Sequence, residues 1–320
     1  MSHASGPAHG VWVWGTVDNY PYTIFFGGVR MKKTLVILFV ALIAVPLFAQ
    51  AITEVKSESD DLRIISLAPN VTEIIYALGA GDQLVGRTDY CNYPEQALEV
   101  TSVGTLWDPN LEAILALDAD VAIASSIVDP SFIESIQNAG ITAYQFYEEE
   151  NLEGTFTLIM KVAAAIGLED KGLEIVESLK ARINAVEEKT SAIPEDQRKS
   201  AVYIISYGDW GDYAATGETY LNDVIEAAGG INAAKDGAYW SISKELLLAQ
   251  DPDVVLLGAY SYTDPAYEIG NFSSLEPYSQ LTASKTGNVY TINGDAAERQ
   301  GIRTADTIEE IASILYPELF

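Results

Sequence analysis

A segment beginning at Trp107 recurs without a gap 133 positions further on, beginning at Trp240. Trp107, Glu112, Leu115, Ala116, Asp118, Asp120 and Val121 match Trp240, Glu245, Leu248, Ala249, Asp251, Asp253 and Val254. Each copy reads as a capped helix (Asn110–Leu117 and Ser243–Gln250), an Asp-x-Asp turn and an apolar strand (Val121–Ala124 and Val254–Leu257). Two helix-strand units at this separation predict two similar α/β lobes, with a cleft between them and a tryptophan at the rim of each. A stacked solenoid is excluded, because stacking needs three or more copies at about 20–50 residues.

The rest of the pattern extends the same architecture. Strands are expected at Arg63–Ala68, Leu84–Thr88 and Thr142–Phe146, with helices at Val71–Ala80 and Ser131–Ala139. Strands separated by helices indicate parallel βαβ units. From Leu152 to Ile193 the pattern is helical, divided at Gly167. Its second part, Glu169–Thr190, keeps Leu173, Val176, Leu179, Ile183 and Val186 at helical spacing. At 1.5 Å per residue such a helix spans about 30 Å, enough to join two lobes. Beyond Pro194 come a strand (Ser200–Tyr207), a helix (Tyr220–Ala228), the second copy, a strand (Asn288–Ile292) and a closing helix (Thr304–Tyr316). The expected fold is α/β: two pseudo-duplicated three-layer lobes with mainly parallel sheets, at 52–168 and 194–320, joined by one long helix at 169–193.

Ahead of the first lobe, Met31-Lys32-Lys33, an apolar run from Thr34 to Phe48 and Ala49-Gln50-Ala51 have the three regions of a secretory signal, cleaved before Ile52. A membrane anchor is the competing reading, but the run is shorter than the roughly 20 apolar residues of a span and contains Pro46. Residues 1–30 precede that signal and are set aside as a non-native leader. Removing residues 1–51 takes away Arg30, Lys32, Lys33 and Asp18, leaving 15 basic and 45 acidic side chains of the original 18 and 46. A net charge near −30 argues against nucleic acid or an anionic membrane as partner. The single cysteine, Cys91, allows no internal disulfide, and no cysteine follows the signal to carry a lipid. A soluble, periplasmic monomer is expected. Both histidines, His3 and His9, lie in the leader. Without histidine the exported chain cannot build Ser-His-Asp or Cys-His catalysis, and no catalytic residue is assigned.

Two apparent motifs are decoys. Gly81-Asp-Gln-Leu-Val-Gly86-Arg87-Thr88 nearly spells a phosphate loop, and Gly79-Ala-Gly81 a dinucleotide turn. Both need a strand before and a helix after, and here the order is reversed. Candidate site residues come from loops beside strands. Trp107, Trp210 and Trp240, with Tyr90, Tyr207, Tyr213 and Tyr239, supply aromatic surface where open α/β sheets take ligands. Arg87, Arg299 and Arg303 stand out in a chain poor in basic residues, and Asp295 is placed either to pair with an arginine or to shape the site with it. Glu73 follows Asn70 by three, as in a capping box. Glu226 lies in the last turn before Gly229-Gly230, where the helix dipole disfavours an anion. One carboxylate per lobe suggests paired docking points for a basic partner.

These segments resemble the iron-chelate and vitamin B12 periplasmic binding proteins of ABC importers, the class with one long inter-lobe helix. The likeness covers residues 62–320 and is strongest in Arg63–Gly79, Val85–Pro94, Val103–Glu112 and Val224–Gly230. It implies a non-enzymatic receptor that clamps a bulky metal chelate, a cobalamin or other corrinoid or a ferric siderophore, and hands it to an inner-membrane permease. It further implies that Glu73 and Glu226 dock the permease, that Tyr90, Trp240, Asp295 and Arg303 touch the ligand, and that any cobalt or iron belongs to the cargo. The chain departs from the B12 pattern at Leu106, with Trp107 one position later. Missing histidine disfavours histidine-ligated haem, and scarce arginine disfavours highly anionic chelates. Tyrosine could still ligate haem, and an exported enzyme using carboxylates and a haem-binding or sensor-linked binding protein are the alternative readings.

Overall fold

A computed structural model of the chain describes strands at 11–17 and 20–26 and residues 62–125, 127–147, 149–208 and 211–320. The signal-sequence expectation and Trp210 lie outside the described residues. Strands β1 (Val11–Val17) and β2 (Tyr20–Phe26) form an antiparallel hairpin, Val11 opposite Phe26 and Val17 opposite Tyr20. It belongs to a separate unit, Met1–Asp60. Setting residues 1–30 aside missed this hairpin, although Val-Trp-Val-Trp and Tyr-Thr-Ile-Phe-Phe are strand-forming types.

Residues Asp61–Phe320 form the second unit. Its first sheet contains β3 (Ile64–Ser66), β4 (Leu84–Arg87), β5 (Val121–Ala124) and β6 (Thr142–Gln145), all parallel, in the order β4-β3-β5-β6. The second contains β7 (Ser200–Ser206), β8 (Tyr213–Ala214), β9 (Ile231–Asn232), β10 (Val254–Ala259) and β11 (Val289–Asn293). There β9, β7, β10 and β11 are parallel in sequence of pairing, and β8 alone runs antiparallel, against β7. The second sheet therefore repeats the order of the first. The short strands β8 and β9 carry too few residues for periodicity to announce them.

The repeated paragraph keeps its meaning in three dimensions. Asn110 caps α2 (Leu111–Leu115) by accepting from the Ala113 amide, and Ser243 caps α7 (Lys244–Gln250) by accepting from the Leu246 amide. Asp118 and Asp251, the matching residues after each helix, are both left-handed, with φ of 44° and 39°. The second aspartates match too. Asp120 accepts the Arg63 amide at 2.8 Å and Asp253 the Ser200 amide at 2.8 Å, so each ties the start of its strand to the start of the neighbouring strand. A third parallel was not anticipated: Asp129-Pro130 and Asp264-Pro265 open α3 (Pro130–Asn138) and α8 (Pro265–Ser274), each Asp capping the first turn.

The linking helix α5 runs Glu169–Thr190, following α4 (Leu152–Ala165). Val176, Leu179, Ile183 and Val186 are buried, whereas Leu173 is half exposed. These four join α1 (Pro69–Ala77), α4, α6 (Tyr220–Ala227) and α11 (Thr304–Leu315) in one apolar cluster that runs through both lobes. Arg182 on α5 forks onto Glu309 (2.8 and 2.6 Å) and reaches Asp306 at 2.5 Å, fastening α5 to α11. Two smaller clusters fill the outer layers, one in each lobe.

The two left-handed aspartates differ in what their side chains do. Asp251 accepts from the Thr282 amide at 2.7 Å and hydroxyl at 2.6 Å, which holds its carboxyl below the usual carboxylate range. Its stabilisation is present at neutral pH and fades as acid protonates it. At Asp118 the backbone carbonyl takes the Arg63 guanidinium, which glycine would keep. Asp118→Gly should therefore be neutral or stabilise by up to about 1 kcal/mol by relieving the left-handed backbone. Asp251→Gly should destabilise by about 1 kcal/mol through the lost Thr282 bonds. Urea unfolding of the two variants checks the contrast, and equal effects would refute it.

Candidate functional site

The carboxyl ends of strands from both lobes converge on one region. After β4, the chain carries Tyr90, Asn92 and Tyr93; after β10, Tyr260 and Ser261; after β11, the short helix α10 (Gly294–Glu298) and the turn through Arg303 into α11. A cavity of about 440 Å³ lies here, lined among others by Asn92, Tyr93, Tyr260, Ser261, Asp295 and Arg303. That volume falls within the roughly 300–1,000 Å³ typical of small-molecule sites.

Beside the cavity the lobes are joined by a buried charge cluster. Glu73, on α1, is 1% exposed. Arg303 donates to it through Nε (2.7 Å) and Nη2 (2.6 Å), and Arg299 through Nη1 (3.1 Å). Arg299 also donates to Asn92 (2.7 Å), to the Tyr90 carbonyl (3.3 Å) and to Asp295 (2.6 Å). Asn92 completes the ring by donating to the other Asp295 oxygen at 3.0 Å. Two carboxylates and two guanidiniums compensate each other, and the Arg303 guanidinium lies 4.5 Å over the Tyr93 ring. Further bonds cross between the lobes at the same level. Asn70 donates to the Gln300 carbonyl, and Gln300 donates to the Glu149 and Asn151 carbonyls.

Several expectations change here. Glu73 is not an exposed docking carboxylate: its helix turns it inward and both oxygens are taken by arginines more than 200 residues away in the chain. Nor does it complete a capping box, since α1 begins at Pro69 without a side-chain cap. Glu226 is exposed, on the last turn of α6. Arg87 does not face a ligand. It is buried and donates to the carbonyls of Ala97, Thr88 and Leu98, holding the loop after β4. Tyr207 is withdrawn into the second lobe, its ring 5.0 Å from Phe272 and 5.6 Å from Tyr278, its hydroxyl donating to Glu268. Burial pushes that phenol up to about 12.

The remaining aromatics stay near the surface. Trp107 is 65% exposed and meets Tyr90 edge-on, centroids 5.1 Å apart at 85°. Trp240 is half-buried against the inter-lobe core, its carbonyl accepting the Ala214 amide. It and Tyr239 are both left-handed, with φ of 59° and 54°. Tyr239 and Tyr213 are exposed. The two matching tryptophans thus have different surroundings, one paired on the first lobe's rim and one packed inward.

One group was missed. Glu298 accepts from the hydroxyls of Tyr203 (2.7 Å) and Tyr260 (2.6 Å), and burial raises its carboxyl above the usual range against those two bonds. The available signal was position: Gly-Ala-Tyr-Ser-Tyr ends the second repeat's strand, where ligands gather.

A two-lobed α/β body with mostly parallel sheets and a ligand-sized cavity at the strand ends defines the bilobal class of binding proteins. Residues 64–296 match the family model described as "Periplasmic binding protein", and the chain belongs to that family. It is 28% identical over 271 residues to an uncharacterised ABC transporter substrate-binding lipoprotein of Bacillus subtilis, covering 83% of this chain and 84% of that one. It is 27% identical to a cobalamin-binding protein of Halobacterium salinarum, covering 82% and 72%. Among solved structures, the periplasmic vitamin B12-binding protein of Vibrio cholerae superposes with a TM-score of 0.66 at 26% identity, covering 80% and 96%. An apo periplasmic haem-binding protein of Roseiflexus gives 0.69 at 23% identity, covering 81% and 99%, and shares the fold. These relatives are binding proteins, not enzymes.

Removing one member of a buried pair strands the other. Glu73→Ala and Arg303→Ala should each destabilise by about 3–5 kcal/mol. Glu226→Ala, on an exposed position, should stay within about 0.5 kcal/mol. Chemical unfolding of the three variants tests this, and a Glu73→Ala protein as stable as Glu226→Ala would remove the cluster from its structural role. Glu298 gives a pH signature of opposite sign to the ordinary carboxylate. With its folded pKa raised, stability falls as pH rises through the window between unfolded and folded values. The unfolding free energy of the native chain relative to Glu298→Gln should therefore improve as the pH is lowered from neutrality towards the ordinary carboxylate range.

Proposed function

We propose that the chain is the substrate-binding protein of an ABC importer, exported from the cytoplasm, that takes an uncharged or weakly charged metal chelate between its lobes and passes it to a membrane permease. A corrinoid such as cobalamin fits this reading best, with a weakly charged ferric siderophore next. The metal travels in the cargo, and no resident cofactor is invoked. The observation that carries the reading is the self-neutralised cluster at the cavity. Arg299 and Arg303 are committed to Glu73 and Asp295, so neither brings a net positive charge to a ligand. A polyanionic complex would have to be desolvated with no uncommitted cation among the described residues lining the cavity, at a penalty of several kcal/mol per unpaired charge. Arg303 Nη1, with no partner among the described residues, is left to donate to a neutral acceptor. Apolar contact would come from Tyr93 in the cavity and from the Tyr90–Trp107 pair on the first lobe's rim. The names of the cobalamin-binding relatives support this choice.

Haem is the second reading, favoured by exposed Tyr90 and Tyr93 phenols in a chain whose only histidines are His3 and His9. For docking, Glu226 is the remaining candidate, and a basic permease surface its partner. Such exposed pairs contribute about 0–1 kcal/mol each, enough for registration rather than affinity.

Titration with cyanocobalamin, haem and a ferric tris-catecholate, followed by tryptophan emission, separates these readings. Saturable quenching by cyanocobalamin and none by the catecholate is expected. Tighter binding of the catecholate would refute the charge argument. In a reconstituted importer, Glu226→Ala should lower uptake without changing ligand affinity, and unchanged uptake would return Glu226 to solvated surface.

A further inference from the structure

One group at the cavity has no assigned role: two tyrosine rings following β10. Tyr260 lines the cavity together with the first lobe's Tyr93. Tyr262 lies parallel to it, centroids 5.5 Å apart at 10°, and is 85% exposed. An aromatic ring left this far in water is stabilised little by such a stacked pair, which contributes only about 0.5–1.5 kcal/mol.

The surrounding backbone is shaped around the inner ring. A Cβ at Gly294 would stand 2.7 Å from the Tyr260 ring, and a Cβ at Gly258 would stand 2.6 Å from the Tyr203 hydroxyl and 3.1 Å from Glu298. Glycine at both positions leaves room for Tyr203 and Tyr260 to reach the same oxygen of Glu298. Glu298 sits in the same ten-residue stretch as Asp295, Arg299 and Arg303, so the ring's orientation is set by the segment that also joins the lobes. The nearby lining is uncharged in sum, with amide and hydroxyl groups at Asn92, Ser261, Thr291 and Asn293.

We propose that Tyr260 and Tyr262 form a stacking subsite for a flat, uncharged, acceptor-bearing part of the ligand, and that Glu298 is the positioning residue that fixes Tyr260. The inference takes the inter-lobe cavity as the ligand site, as the functional reading above does. The flat group lies on or beside the Tyr260–Tyr262 pair, and its edge acceptors meet the amide and hydroxyl donors of the lining. An anionic flat group is disfavoured because Arg299 and Arg303 are already compensated.

The test uses caffeine, which is planar, uncharged and edged with carbonyl acceptors, and 1,5-naphthalenedisulfonate, planar but doubly anionic. Binding to the full chain labelled with 3-fluorotyrosine is read by fluorine NMR. Caffeine should bind saturably and shift the Tyr260 and Tyr262 resonances, and the disulfonate should not. Tyr262→Ala, at an exposed position that leaves the fold intact, should weaken caffeine about tenfold, the upper end of one aromatic contact. Glu298→Ala and Tyr260→Phe should each weaken it several-fold and do so non-additively, because both break the same bond. Glu298→Gln, which keeps the acceptor, should restore most of the affinity. Absence of caffeine binding to the native chain, unchanged affinity in Tyr262→Ala, or equal binding of the disulfonate would each overturn the subsite. The cyanocobalamin titration is read separately, so a failed subsite with intact cobalamin binding, or the reverse, is distinguishable.

Discussion

Burial of Glu73 sets the terms for this site. A carboxylate taken out of water is tolerated only with excellent compensation, and here that comes from two guanidiniums of the opposite lobe. The same two arginines hold Asp295 and the Tyr90–Asn92 loop. Lobe contact, loop position and cavity charge are therefore settled together. Whatever occupies the cavity meets a surface whose charges have already found one another. In such a place shape, aromatic contact and hydrogen-bond matching decide affinity.

The duplication explains why two lobes of different sequence share a frame. Asp120 and Asp253 each anchor the start of a neighbouring strand, and Asp118 and Asp251 turn the chain into position for it. Around this shared frame the halves diverge in the loops beyond the strands. The first lobe presents an exposed tryptophan with a tyrosine edge against it. The second packs Trp240 inward and sets Tyr260 in the cavity wall with Tyr262 stacked on it.

Much of the architecture was legible because it is written locally. Helical spacing in Val176, Leu179, Ile183 and Val186 and the caps at Asn110 and Ser243 each depend on residues within a few turns. The site was less legible because its decisive bonds are not local. Glu73 looked like a cap from its spacing to Asn70, yet its partners lie 226 and 230 residues away. Arg87 looked available because its acceptors are backbone carbonyls, which leave no trace in side-chain identity. Tyr207 was correctly placed near a strand end, but no periodic signal told whether its ring turned to the cleft or joined Phe272 and Tyr278. The hairpin at 11–17 and 20–26 was passed over by excluding its segment, not by any ambiguity in its residues.

Between β11 and α11, Asp295, Glu298, Arg299, Gln300 and Arg303 lie within nine consecutive residues. Neither sheet depends on this stretch for its strand pairing. Because Arg299 and Arg303 also hold the lobes together through Glu73, a substitution here changes the cavity wall and the lobe contact at once, while the strand pairing beneath persists. In this short connector the chemistry of the cavity wall and the attachment of one lobe to the other are written in the same residues, so neither can change alone.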